Sequence, residues 1–176
     1  MFPIVIMAAT FVMLAGYQTY FILRRRRLQN QTWEQLISKI QPVDFSQLQK
    51  VAKSYLESGK DHHHVQPADM WIMLGQEQGL ARMRNNAEVM LDLAVYAERW
   101  NFHEGRVIAD FMRRDSVRLR TALREIEASF ANESRVTNLH LHLQEISAAY
   151  SAMRQRLLAL YENANAGRLP QLQAAL

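Results

Sequence analysis

Three adjacent histidines, His62, His63 and His64, follow Asp61 in the chain. Imidazole is a good ligand for zinc, nickel or copper. Their adjacency works against a metal site, because structural and catalytic ions draw ligands from spaced positions on rigid elements. A polar loop is the preferred reading, and no cofactor or metal is expected. His140 and His142 lie two apart, so on a helix they point away from each other, while His142 and Glu145 could share an ion. A di-iron bundle would need Glu-x-x-His on two helices, and the chain has no such motif.

Two carboxylates stand out because their neighbours are apolar. Asp115 falls where the stripe of Ile108, Met112 and Leu119 calls for an apolar side chain, and Asp92 interrupts the apolar run 89–97. A buried carboxylate must find a partner or take up a proton. For Asp115 the candidates are Arg118, one turn on, and Arg84 or Arg99 on the preceding helix. The favoured role is an ion pair that fixes helix register, with a functional carboxylate as the alternative. Arg99, Arg106, Arg113 and Arg120 recur every seven residues, and Arg124 extends the row. The row could bind an anion or a partner. Glu104, Asp110 and Asp115 dilute it, which favours a solvated face. There is no P-loop, GxGxxG, GxSxG or HExxH motif, and with no cysteine there is no thiol nucleophile.

The charge distribution says where such groups would operate. The net charge of +4 suggests a basic protein. Residues 1–23 carry no charged side chain, however, and Arg24, Arg25, Arg26 and Arg27 follow without interruption. Of the 21 Lys and Arg, those four account for the whole excess, leaving 17 bases against 17 acids from residue 28 onward. A nucleic-acid binder would spread its basic residues over a folded face, so no nucleic-acid partner is expected. An apolar run closed by arginines is a membrane flank. Residues 2–23 give a helix of roughly 33 Å, enough to span the hydrocarbon. Tyr17 and Tyr20 lie near the headgroup level at the arginine end. No basic residue precedes the run and the available cleavage sites are poor, which favours an uncleaved anchor over a secretory signal. The positive-inside rule then puts the N-terminus outside and the bulk of the chain in the cytoplasm of a cell (inner) membrane protein. The arginines can also contact anionic headgroups of the bilayer.

The remaining elements are helical. Trp33, Leu36, Ile37 and Ile40 form one short stripe, which Pro42 ends. Trp33 rests either on the membrane surface or on the folded domain. A second helix begins near Asp44 or Ser46 and stops at Gly59. Pro67 opens a long helical pattern to Trp100, which Gly75 and Gly79 bend or break. Its run 89–97 is apolar on nearly all sides and predicts the central, buried helix. Asn101 and Glu104 predict a capped start for a helix reaching Phe130, with Phe111 in its apolar stripe. The final long helix, 135–163, has a seam-like stripe from Val136 through Tyr150 to Leu160. Gly167 and Pro170 end that pattern.

The expected fold class is all-α: a single transmembrane helix followed by a cytoplasmic antiparallel bundle of three long helices plus one or two short ones. Residues 1–27 are the anchor and its basic flank, 28–66 the short helices and the histidine loop, 67–163 the bundle, and 164–176 a flexible tail. The expected function is a membrane-anchored interaction or scaffold module, docking a protein partner or a second copy of itself. The alternative is a tethered enzyme or ligand-binding bundle that uses Asp92 and Asp115 with arginines, or the histidines with a metal.

Overall fold

The structure is a computed structural model that describes residues 11, 13, 16, 19, 31–56, 66–98, 100, 102–131, 138–164 and 166–176. It divides into two units, Met1–Trp33 and Glu34–Leu176. In the first, Phe11, Met13, Gly16 and Thr19 are helical and exposed. The rest of the expected span 2–23 lies outside the described residues, as do Arg24, Arg25, Arg26 and Arg27. Among the described residues no helix is long and apolar enough to cross a membrane. The all-helical reading holds: the described residues form α-helices and no strand.

Helix α1 (Trp33–Ile37) is a short one. Its Trp33 and Leu36 are buried, and it unwinds through Lys39 and Ile40 before Pro42. Helix α2 (Phe45–Leu56) starts on Asp44. That carboxylate accepts from the Ser46 hydroxyl at 2.7 Å, the Ser46 N–H at 3.0 Å and the Gln47 N–H at 3.2 Å. Such bonds satisfy donors that a helix start leaves open. They hold the Asp44 carboxyl below its ordinary pKa, the Ser46 hydroxyl contributing most.

Pro67 opens α3 (Pro67–Met73), and α4 runs over Gln76–Ala97. Of the two responses expected from Gly75 and Gly79, the helix breaks. Gly75 and Gln76 both take left-handed backbone angles, with φ of 78° and 58°. Gly79 makes this turn possible in a different way. It is buried beside the Leu74 carbonyl, so closely that an added methyl would overlap that oxygen.

Helix α5 covers Phe102–Ala131 and α6 covers Leu139–Ala164. The Asn101 cap lies outside the described residues. The long helices run up, down and up. Antiparallel neighbours show in the Arg84–Glu127 pair between α4 and α5, and in the Asp115–Arg156 pair between α5 and α6. The outer helices α4 and α6 are parallel: Asn86 meets Tyr150, and Leu93 meets Tyr161 further along both. Short turns between long helices impose this arrangement.

The run 89–97 of α4 is buried apart from half-buried Asp92 and Val95, yet α4 is not the hub. That place belongs to α6, against which α2, α3, α4 and α5 all pack. Its large apolar seam (Leu143, Ile146, Tyr150, Met153, Leu157, Leu160) is fully buried, and small Ser147 and Ala149 extend the buried arc. Beyond α6 the chain does not fray. A 3-10 turn, Ala166–Arg168, leads into α7 (Leu169–Ala175), whose Leu172 is fully buried. Pro170 ends the preceding pattern and opens this one, because proline is tolerated in a first helical turn.

One buried amide joins three parts of the unit. Asn86 of α4 donates to the Gln41 carbonyl at 2.7 Å and to the Tyr150 hydroxyl at 3.0 Å. Its carbonyl accepts the Gln41 N–H at 2.8 Å. Both amide hydrogens and the oxygen are thus used, which offsets the cost of complete burial. Burial pushes the Tyr150 phenol pKa up, against the opposing pull of Asn86 and the Arg154 charge.

Two predictions follow from these contacts. Gly79→Ala should destabilise the fold by about 3 kcal/mol, the upper range for overpacking, since the obstacle is backbone. Gly75→Ala should cost about 1 kcal/mol for its left-handed angle. Urea unfolding followed by circular dichroism separates the two. Tyr150 stays neutral in the fold to higher pH than in the unfolded chain. The stability this gives is complete below about pH 10, the ordinary value, and is lost as pH rises through the folded value. The urea midpoint should therefore fall above that pH, and less steeply in Tyr150→Phe.

Candidate functional site

The groups singled out in the sequence do not converge on one site. Asp115 is buried in the α5–α6 interface and pairs with Arg156 of α6. Neither Arg118 nor Arg84 is the partner. Arg118 sits on the outward side of α5, and Arg84 is engaged by Glu127. Arg99 lies outside the described residues. A helix buries only one arc; Asp115 lies near one edge of it, and Arg118, further round the helix on that side, falls outside it. Asp92 is half-buried on α4.

The histidine triplet lies outside the described residues. His140 is exposed and His142 half-buried on the first turn of α6. Among the described residues no group of His, Asp and Glu could hold a metal ion.

The arginine row resolves into something different from a seven-residue stripe. The buried arc of α5 comprises Ala109, Met112, Asp115, Ser116, Leu119, Ala122, Leu123 and Ile126. Phe111, expected in that stripe, is 46 % exposed. It lies at the edge of the arc, where its ring is approached by the guanidinium of Arg114 at 5.9 Å and of Arg156 at 5.5 Å. Such contacts favour both partners, because a ring face attracts a cation. Val107 and Val117 are exposed on the outward side of the same helix. Arg113 pairs with Asp110 along the helix, and Arg120 donates to the Ser116 carbonyl at 3.3 Å. Among the described residues Arg118 and Arg124 take part in no ion pair.

Two further clusters were not visible in the sequence. Arg154 of α6 lies 3.9 Å from the centre of the Phe45 ring, which seats the start of α2, and burial pushes its pKa down. At the other end, Trp100 meets Tyr96 edge-on at 5.1 Å and Tyr161 at 6.2 Å. Arg168 lies over both Tyr96 and Trp100 and donates to the Tyr96 hydroxyl. Tyr161 donates to the Leu93 carbonyl at 3.0 Å. These contacts fasten the C-terminal segment to the α4–α6 end.

Chemically, the Asp115–Arg156 pair specifies register, and the outward side of α5 is equipped for contact. Arg156→Ala should destabilise by about 3 kcal/mol by stranding a buried carboxylate, whereas Asp115→Leu combined with Arg156→Leu should be nearly neutral. Denaturant midpoints of the single and the double variant test this. A pair needed for chemistry would not tolerate the joint replacement in any activity assay.

No family model, curated protein or solved structure matches the chain.

Proposed function

We propose that the chain is a single-pass membrane protein with its N-terminus outside and its helical bundle in the cytoplasm, where the bundle acts as an interaction or scaffold module. The observation that carries this reading is the placement of charge. An uncharged run of 23 residues ends in four arginines, and everything after them is neutral. Apolar residues hold a span in the bilayer, and arginines hold their end on the cytoplasmic side. Exposed Val107, Phe111 and Val117 among arginines on α5 add support for a contact surface. Arginine and aromatic side chains together are enriched where proteins meet partners. The anchor would confine such encounters to two dimensions and raise their effective concentration.

Topology is tested with reporters fused after Leu176. One that works only outside the cytoplasm should be silent, and one that works only inside should be active. Replacing Arg24–Arg27 by asparagine should let part of the population invert. An active outside reporter on the native chain overturns the reading. The scaffold role predicts a stoichiometric partner on crosslinking in intact cells. A monomer crosslinked to nothing overturns it.

A further inference from the structure

The neutral second unit is strongly polarised. The outward and flanking positions of α5 between 106 and 125 carry six arginines (Arg106, Arg113, Arg114, Arg118, Arg120 and Arg124) against two acids, Asp110 and Glu125, a net +4. Asp115 is turned inward to Arg156, and Glu127 at the edge is matched by Arg84. Glu34–Leu176 contains all 17 acids and 17 of the bases, so the other surfaces of the unit together carry a net −4. Along the same helix Val107 is 55 % and Val117 56 % exposed, with Phe111 beside them.

We propose that this side of α5 rests on the anionic headgroups of the bilayer in which the chain is anchored. The proposal builds on the anchored reading. A symmetric dimer through this side is disfavoured, because the two copies would present the same sign of charge to each other. A phosphate-bearing lipid surface has the required charge over the length of a 30-residue helix. Arginine suits it, since its planar fork binds phosphate oxygens in pairs. Val107, Phe111 and Val117 give a shallow apolar contact at headgroup depth, too slight for insertion and sufficient to favour one orientation. The attraction per residue is modest at a charged surface, and a tether supplies the rest by holding the side at millimolar-order effective concentration. The opposite charge of the remaining surface opposes any other way down. The result is a bundle held in one orientation, with its acidic side directed to the cytoplasm.

The chain has no cysteine, so a single Val117→Cys carries a polarity-sensitive fluorophore without background. The labelled full chain is reconstituted into phosphatidylcholine bilayers, with or without phosphatidylglycerol, and flotation is measured at low and high salt. The expected result is flotation in every sample, and a blue-shifted label only with phosphatidylglycerol, reversed by salt. A label at exposed Glu88 of α4, as Glu88→Cys, should not respond. Arg118→Glu with Arg124→Glu removes the net charge of the side without breaking an ion pair, and the shift should vanish. The milder Arg118→Gln with Arg124→Gln should weaken it and keeps the test valid if the reversal misfolds. Flotation with an unchanged Val117 label in both lipids overturns the proposal and leaves the anchor standing. Loss of flotation from phosphatidylcholine overturns the anchor. In that case salt-sensitive flotation with phosphatidylglycerol, abolished by the paired substitution, upholds the contact, and flotation with neither lipid overturns both.

Discussion

Five helices, α2 to α5 and α7, lean on α6, and that demand shapes the unit. A helix surrounded by neighbours must be apolar around most of its circumference. Here the large seam residues are fully buried, and the small Ser147 and Ala149 widen the buried arc. Ser147 hides its hydroxyl on the Leu143 carbonyl one turn back, at 2.8 Å, so its polarity costs little. Large residues supply buried area and small ones supply proximity. Both are needed for one helix to serve several partners.

Apolar packing of this kind is nearly indifferent to sliding, since one methyl replaces another. The buried polar groups remove that freedom. The Asn86 amide fits the Gln41 backbone and the Tyr150 hydroxyl together, and Asp115 reaches Arg156 in one register of α5 on α6. Tyr161 adds a third such point on Leu93. A displaced helix would strand each of these groups without water, and that penalty is steep in a low-dielectric interior.

Much of this was readable from spacing. Apolar periodicity located the long helices, and Pro67, Gly75 and Asp44 marked starts and stops because their backbone or capping preferences act locally. The hub was misplaced for a physical reason. Counting large apolar residues favours 89–97 over a helix that buries alanine and serine. Phe111 was drawn into the stripe by type alone, although its position lies at the edge of the buried arc. The partner of Asp115 was recoverable, because residues 115 and 156 stand at similar distances on either side of the α5–α6 turn. The tail was not: Arg168 and Leu172 find their places through tertiary contacts that no local pattern announces.

The hub lies C-terminal to four of the five helices that it organises, α2 to α5. During synthesis, α2 to α5 therefore exist for a time without the surface that covers their apolar arcs. The α5–α6 hairpin is the most local of the long pairings and can form as soon as α6 is complete. The tie between Gln41 and Asn86, and from there to Tyr150, closes longer loops, and the Phe45–Arg154 contact of α2 on α6 closes a longer one still. By loop length alone, assembly of the unit would start in its C-terminal half, with the N-terminal helices joining last.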